Sequence, residues 1–248
     1  MDVAVLLEDP RSGERRVSLD PPAVRTLTSQ GHTVLVQAGA GAAAGFADAE
    51  YESAGGQRVQ RREALARGGV VLSLGWLRVD DAETLADGAV VLNMQRLDLA
   101  PSATREAFQA KSCTVVAARL LKDARGRAIV RERMSQLAGA LAPQLTGRLL
   151  ESAAPGRPGV LLARLPGVSA PEIVILGAGT LGSTAARQFG ALGVSVHLLD
   201  NDLTKLEACS ATLPVNVSAE PATRERIADM ASFANALVVA VRAEKGPM

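Results

Sequence analysis

Aromatic side chains are scarce, with one Trp, one Tyr and four Phe in 248 residues. Stacking platforms for single-stranded nucleic acid are therefore not expected. An excess of either charge is lacking too: the formal net charge is +1, which gives no push toward nucleic acid or an anionic membrane surface. No apolar stretch is long enough to span a bilayer. The opening Met-Asp-Val-Ala-Val-Leu-Leu has no basic segment before its short apolar run, so a secretory signal is not expected. The two cysteines, Cys113 and Cys209, lie far apart and near no histidine. Neither a disulfide nor a metal site is expected, and a reducing cytoplasm is the expected compartment. His32 and His197 each stand alone, with no visible partner for catalysis. His197 is expected to pack inside the fold.

What the chain does have is one sharply defined stretch, Glu172-Ile-Val-Ile-Leu-Gly-Ala-Gly-Thr-Leu-Gly-Ser183. An apolar run, Ile173 to Leu176, leads into Gly177-Ala-Gly179-Thr180-Leu181-Gly182. A helical pattern to Leu192 follows, and then a second apolar run, Val194 to Leu199, ends in Asp200. Strand, glycine turn, helix, strand and acid form the context in which a Gly-x-Gly-x-x-Gly turn binds a dinucleotide. Gly177 permits the tight turn, Gly179 lets backbone approach a pyrophosphate, and Gly182 lets the helix lie close to the strand. The positive end of the helix starting near Thr180 faces the phosphates. Asp200 is placed to accept from the ribose hydroxyls and to repel a 2′-phosphate, so NAD is expected rather than NADP.

The rest of the chain alternates between strand and helix patterns. Strands are expected at 2–7, 33–37, 70–74, 89–93 and 114–117. Helices are expected between them, one starting at the cap Asp20-Pro21-Pro22. Such alternation implies right-handed βαβ units and a parallel sheet. The fold class is α/β, with two doubly wound Rossmann-like domains. The first covers 1–130, a helix and loop cover 131–158, and a dinucleotide-binding domain occupies 159–248. That second domain reads as incomplete, with about four strands where a full one usually has six. Short strands are expected at 160–163 and 215–217. The linking helix, Arg131 to Ser152, in which Met134, Leu137, Leu141, Leu145 and Leu149 recur at threes and fours, is expected to bridge the domains. Pro143 inside it is expected to cause a kink. A second glycine cluster, Gly39-Ala-Gly41 to Gly45, opens no helix and is not expected to bind phosphate. The basic run 119–133 carries Asp123 and Glu132 and is expected to be a solvated face.

Several segments together resemble the alanine dehydrogenase and nicotinamide nucleotide transhydrogenase alpha-subunit family. They are Glu8 with Glu14-Arg15-Arg16-Val17-Ser18-Leu19-Asp20-Pro21, and Gly39-Ala-Gly41 running on to Gly45-Phe46-Ala-Asp48-Ala-Glu50-Tyr51. Met134-Ser135-Gln-Leu-Ala-Gly139 and Gly159-Val-Leu-Leu through Pro166-Gly167-Val-Ser-Ala-Pro171 complete them. They occur in family order along the whole chain, and the last is closer to the alanine dehydrogenases. The resemblance implies NAD as cofactor, with Ser135 among its contacts. It also implies a site for a small carboxylate at the C-terminal strand ends of the first domain. Arg16, in Glu-x-Arg-Val, matches the arginine that binds the substrate carboxylate, a task suited to the two parallel N–H groups of a guanidinium. The family's catalytic lysine aligns with Gly75. Its histidine aligns with Gln95, followed by Arg96, and glutamine cannot shuttle a proton near neutral pH. Its aspartate beside the nicotinamide falls beyond Met248.

Two functions follow. One is an NAD-dependent oxidoreductase acting on a small amino acid or 2-oxo acid, with Arg16 holding the carboxylate and Gln95 or Arg96 polarising the carbonyl. The other is an NAD(H)-binding or regulatory module without dehydrogenase activity. An exposed sheet edge and apolar helix faces are expected to be covered by a partner, so a homo-oligomer, at least a dimer, is expected.

Overall fold

The computed structural model of the protein describes residues 1–94, 97–152, 156 and 159–241. It divides into two compact units, Met1–Val130 and Arg131–Met248.

The first unit opens with β1 (Asp2–Val5), α1 (Pro21–Ser29), β2 (Thr33–Gln37), α2 (Asp48–Ser53) and β3 (Gln57–Val59). It continues with α3 (Arg61–Arg67), β4 (Val70–Ser73), α4 (Val79–Thr84), β5 (Val90–Asn93), α5 (Ser102–Ala110) and β6 (Thr114–Ala117). All strand pairs are parallel, in the order β3-β2-β1-β4-β5-β6. The order reverses between β1 and β4, and ligands of such sheets bind at the carboxyl ends of the strands beside that point. Helices cover both faces, and each face has its own core. Asp20 caps α1 by accepting the Ala23 N–H at 2.9 Å, ahead of prolines whose missing or unneeded N–H suits a first turn.

The second glycine cluster serves packing. A Cβ on Gly41 would lie 2.5 Å from Tyr51 Cε2, so only glycine leaves room for the buried ring. Tyr51 donates its hydroxyl to the Leu19 carbonyl at 2.9 Å, and burial pushes its pKa up to about 12.

A long helix, α6 (Ile129–Leu150), runs into the second unit. There follow β7 (Glu172–Leu176), α7 (Thr180–Ala191), β8 (Ser195–Asp200), α8 (Leu203–Ser210), β9 (Val217–Pro221), α9 (Arg224–Phe233) and β10 (Ala236–Val239). Among the described residues this sheet has four parallel strands in the order β10-β7-β8-β9.

Some local expectations are corrected. No strand forms at 160–163: the Val160 N–H bonds the Leu150 carbonyl and the Ala163 N–H bonds the Leu161 carbonyl, so no ladder is available. The strand expected at 215–217 instead starts at Val217 and runs to Pro221, after a turn in which Val217 N–H reaches the Pro214 carbonyl. Edge strand β3, Gln57-Arg58-Val59, is too polar and short to show a period in sequence. The helix expected at 131–152 forms as α6, with Pro143 inside it. Its inward face is Gly139, Pro143, Thr146 and Leu150, whereas Leu137, Leu141, Leu145 and Leu149 are exposed.

Candidate functional site

In the second unit the strand order reverses between β7 and β10, and the glycine turn lies at the end of β7. Gly177 has φ +106°, and a Cβ there would lie 2.9 Å from Val241 Cγ1 and 3.0 Å from the Ala240 carbonyl oxygen. Gly179 is the N-cap of α7 and has extended backbone. A Cβ on it would meet nothing within 4 Å, so the space over the helix start is open. A Cβ on Gly182 would overlap the Gly177 carbonyl oxygen, which fixes helix and strand at a distance that only glycine permits. The first-turn N–H groups of α7, including those of Thr180 and Leu181, have no acceptor within the helix. They and the helix dipole form an anion-binding end.

Asp200, at the end of β8, is buried. Its Oδ2 accepts the Ala178 N–H at 2.7 Å and its Oδ1 accepts the Asp202 N–H at 2.9 Å. Lys205 Nζ lies 3.7 Å away. The acid therefore meets the glycine turn directly, a contact that the sequence motif does not announce. Gly139 of α6 is the second residue missed in sequence. A Cβ there would lie 2.5 Å from the Leu181 carbonyl oxygen and 2.8 Å from Thr184 Cβ, so α6 packs tightly on the first turns of α7. Ser135 lies one turn earlier on the same side of α6, half-buried. Thus Gly177, Gly179, Thr180, Leu181, Gly182 and Asp200 come together at one turn, with α6 against it. His197 lies away from the turn, on β8. Its ring meets Glu172 Oε2 at 3.0 Å, Ser218 Oγ at 3.1 Å and the Phe233 ring edge-on.

In the first unit Glu8, just beyond β1, reaches across the reversal point. Its two carboxylate oxygens accept the N–H groups of Leu74 and Gly75 at 2.7 and 2.9 Å. The Gly75 carbonyl in turn accepts from Ser73 Oγ at 2.7 Å and Asn93 Nδ2 at 2.5 Å. Nearby, Arg61 grips Asp81 with two 2.8 Å bonds and donates to the Leu7 carbonyl at 2.9 Å and Gln37 Oε1 at 3.1 Å. Burial works against ionisation of Asp81, yet the Arg61 guanidinium holds its pKa below the usual value. A cleft of about 380 Å³ opens here, lined by Glu8, Arg11, Arg61, Ser73, Trp76 and Arg78 among others. Sequence reasoning noted Glu8 only as part of a signature and passed over Arg61 and Trp76. A carboxylate and a guanidinium separated by tens of residues carry no local pattern.

Arg16 stands in the loop after β1 with its fork on Glu14: Nε to Oε1 is 2.9 Å and Nη2 to Oε2 is 2.6 Å. The Arg16 hydrogen bond lowers the Glu14 pKa to about 2, and Glu14 raises that of Arg16. Gln95 and Arg96 lie outside the described residues. Among the described residues no group of three or more His, Cys, Asp or Glu is placed to hold a metal ion, and no helix is long and apolar enough to cross a membrane.

A parallel sheet with a glycine turn, an adjoining helix start and an acid at the next strand end defines the class of doubly wound dinucleotide folds. Sequence comparison narrows this. The family description "Alanine dehydrogenase/PNT, N-terminal domain" matches residues 4–138 and "Alanine dehydrogenase/PNT, C-terminal domain" matches 142–247. The chain belongs to the alanine dehydrogenase/PNT family. It is 29% identical over 231 residues to the alanine dehydrogenase of Bacillus subtilis (strain 168), covering 93% of this chain and 60% of that protein. It is 32% identical over 202 residues to that of Mycobacterium tuberculosis, covering 81% and 54%. The chain thus spans little more than half the length of these relatives. An L-alanine dehydrogenase structure superposes with TM-score 0.89 at 29% identity, over 100% of this chain and 68% of that one. A transhydrogenase from Sinorhizobium meliloti shares the fold, with TM-score 0.81 at 24% identity, over 100% and 71%.

Proposed function

We infer that the chain binds NAD(H) at the β7–α7 turn and belongs to an oxidoreductase acting on a small amino acid or 2-oxo acid. The single observation that carries the cofactor assignment is the contrast among the three glycines. Gly177 and Gly182 are closed in by backbone, while Gly179 faces open space at a helix start. Gly179, Thr180 and Leu181 would hold the pyrophosphate, with Ser135 near the same helix turn. Two of the roughly four acceptor positions of the Asp200 carboxylate are taken by backbone N–H groups, which leaves capacity for ribose hydroxyls. Its negative charge disfavours a 2′-phosphate. Bound NAD supplies the hydride acceptor. Arg16 is the anchor for a substrate carboxylate, and Gln95 or Arg96 the group that would polarise a carbonyl.

One observation supports a second function, a cofactor-holding module without dehydrogenase activity. At Gly75 there is no side chain to move a proton, and the backbone there is tied up by Glu8, Ser73 and Asn93. The two are separated by following NADH absorbance with the purified chain over a panel of amino acids and 2-oxo acids. Substrate-dependent change supports the oxidoreductase, and it should fall sharply in Arg16→Ala. NADH binding without turnover on any acid supports the module. Neither binding nor turnover refutes both.

A further inference from the structure

The cleft of the first unit lies at the carboxyl ends of β2, β1 and β4, with Gln37, Leu7 and Ser73 on its wall. It sits beside the reversal of strand order, where parallel sheets take their ligands. Glu8, Arg61, Trp76 and Arg78 also line it and have no role in the function proposed above.

The charges of the cleft sort into spent and unspent groups. Arg11 is forked on Asp9, with Nε 3.2 Å from Oδ1 and Nη2 3.2 Å from Oδ2. Among the described residues Arg61 uses four of its five N–H groups on Asp81, Leu7 and Gln37, which fixes the floor and leaves one donor. These two acid–base pairs cancel. Glu8 and Arg78 remain. Glu8 is buried, and the N–H groups of Leu74 and Gly75 take one position on each of its oxygens, so each oxygen keeps another. The Arg78 side chain is 66% exposed, and Asp80 stands 3.9 Å from its Nη2, beyond hydrogen-bond length. One carboxylate and one guanidinium are thus left for a ligand. A simple anion would set its charge beside Glu8, and a simple cation would set its charge beside Arg78. A zwitterion satisfies both with charge-assisted hydrogen bonds.

The remaining wall is apolar. Trp76 is half-buried and offers a flat indole face, with Leu7 and Pro10 on the same cleft. The volume of about 380 Å³ is at the lower end of the roughly 300–1,000 Å³ of ligand pockets, the size for one small molecule. We propose that this cleft binds a free α-amino acid with a large apolar side chain. Its ammonium group meets Glu8, its carboxylate meets Arg78 and the remaining Arg61 N–H, and its side chain lies along Trp76. The site belongs to the first unit alone and needs no dinucleotide.

Trp76 is the only tryptophan, so its fluorescence reports on the cleft directly. The test is titration of the full chain with L-phenylalanine and with L-leucine, without dinucleotide, excited where phenylalanine and tyrosine do not absorb. A saturable one-to-one change is expected with L-phenylalanine. Phenethylamine and 3-phenylpropionate each lack one of the two charges and should bind at least about tenfold more weakly. Arg78→Ala, at an exposed position that folding does not need, should weaken L-phenylalanine by about tenfold and leave phenethylamine unchanged. Glu8→Gln should show the reverse pattern, weakening phenethylamine and sparing 3-phenylpropionate. No saturable change with either amino acid overturns the proposal. So does 3-phenylpropionate binding as tightly as L-phenylalanine, or L-phenylalanine affinity indifferent to Arg78→Ala. NADH binding, read separately on the same sample by nicotinamide fluorescence, decides the β7–α7 site and has no bearing on this one.

Discussion

Asp200 Oδ2 accepts the N–H of Ala178 at 2.7 Å. The acid that ends β8 thereby fixes the turn that ends β7, so on the proposed function one side chain would both shape the turn and meet the ribose. The two tasks separate by substitution. Asp200→Ala leaves a buried amide without its acceptor and should cost about 1–3 kcal/mol in urea unfolding, with NADH affinity lost. Asp200→Asn keeps an amide oxygen for Ala178, so its stability loss should be smaller. Removing the negative charge should also narrow the preference for NADH over NADPH, read by parallel titrations.

The glycines of the turn should differ in what they break. Gly179→Ala adds a methyl group in open space with unstrained backbone. Its melting temperature should stay near wild type while NADH affinity falls by at least about tenfold, since the methyl occupies the pyrophosphate approach. Gly182→Ala drives a methyl into the Gly177 carbonyl and should destabilise the second unit by about 1–3 kcal/mol. Thermal unfolding and NADH titration on both variants distinguish the effects.

Glu8 is the link between the ends of β1 and β4. Glu8→Ala removes the acceptor for the N–H groups of Leu74 and Gly75 and should cost about 2 kcal/mol. Trp76 follows directly, and it is the only tryptophan in the chain. Its fluorescence should shift to longer wavelength as the loop loosens. An unchanged emission spectrum with unchanged stability would show that Glu8 does not hold the loop.

Much of this was legible in sequence because the signals were local. Ile173 to Asp200 carries strand, turn, helix and acid in unbroken order, and each element formed there. Asp20-Pro21-Pro22 likewise starts a helix by local capping alone. What escaped was non-local. The Glu8 contact joins residues 66 and 67 positions apart, and the Arg61–Asp81 pair spans 20, so no period or spacing marks them. The leucine row of α6 marks a different limit. Helical periodicity identifies an apolar face without saying that it is buried, and burial went to Gly139, Pro143, Thr146 and Leu150, with Gly139 set close against α7.

Tyr51, the only tyrosine, gives a pH test of the first core. Its pKa is raised from the ordinary 10.0 to about 12, first by burial and then by Asp20, Glu50 and Asp48. The unfolded chain ionises near the lower value, so the stability linked to this group is complete below pH 10 and declines between the two values. Phenolate absorbance should therefore appear with a midpoint near 12, and alkaline unfolding should begin above 10. Titration near 10 in the folded protein would mean that the ring is not enclosed by Gly41 and Phe46.

The central claim, that the β7–α7 turn holds a dinucleotide, is tested most directly by titrating the purified chain with NADH, followed by nicotinamide fluorescence and calorimetry. Saturable one-to-one binding is expected, competed by ADP-ribose and strongly weakened in Gly179→Ala. A folded chain that gives neither heat nor a fluorescence change with NADH, and no heat with NAD or ADP-ribose, would contradict it.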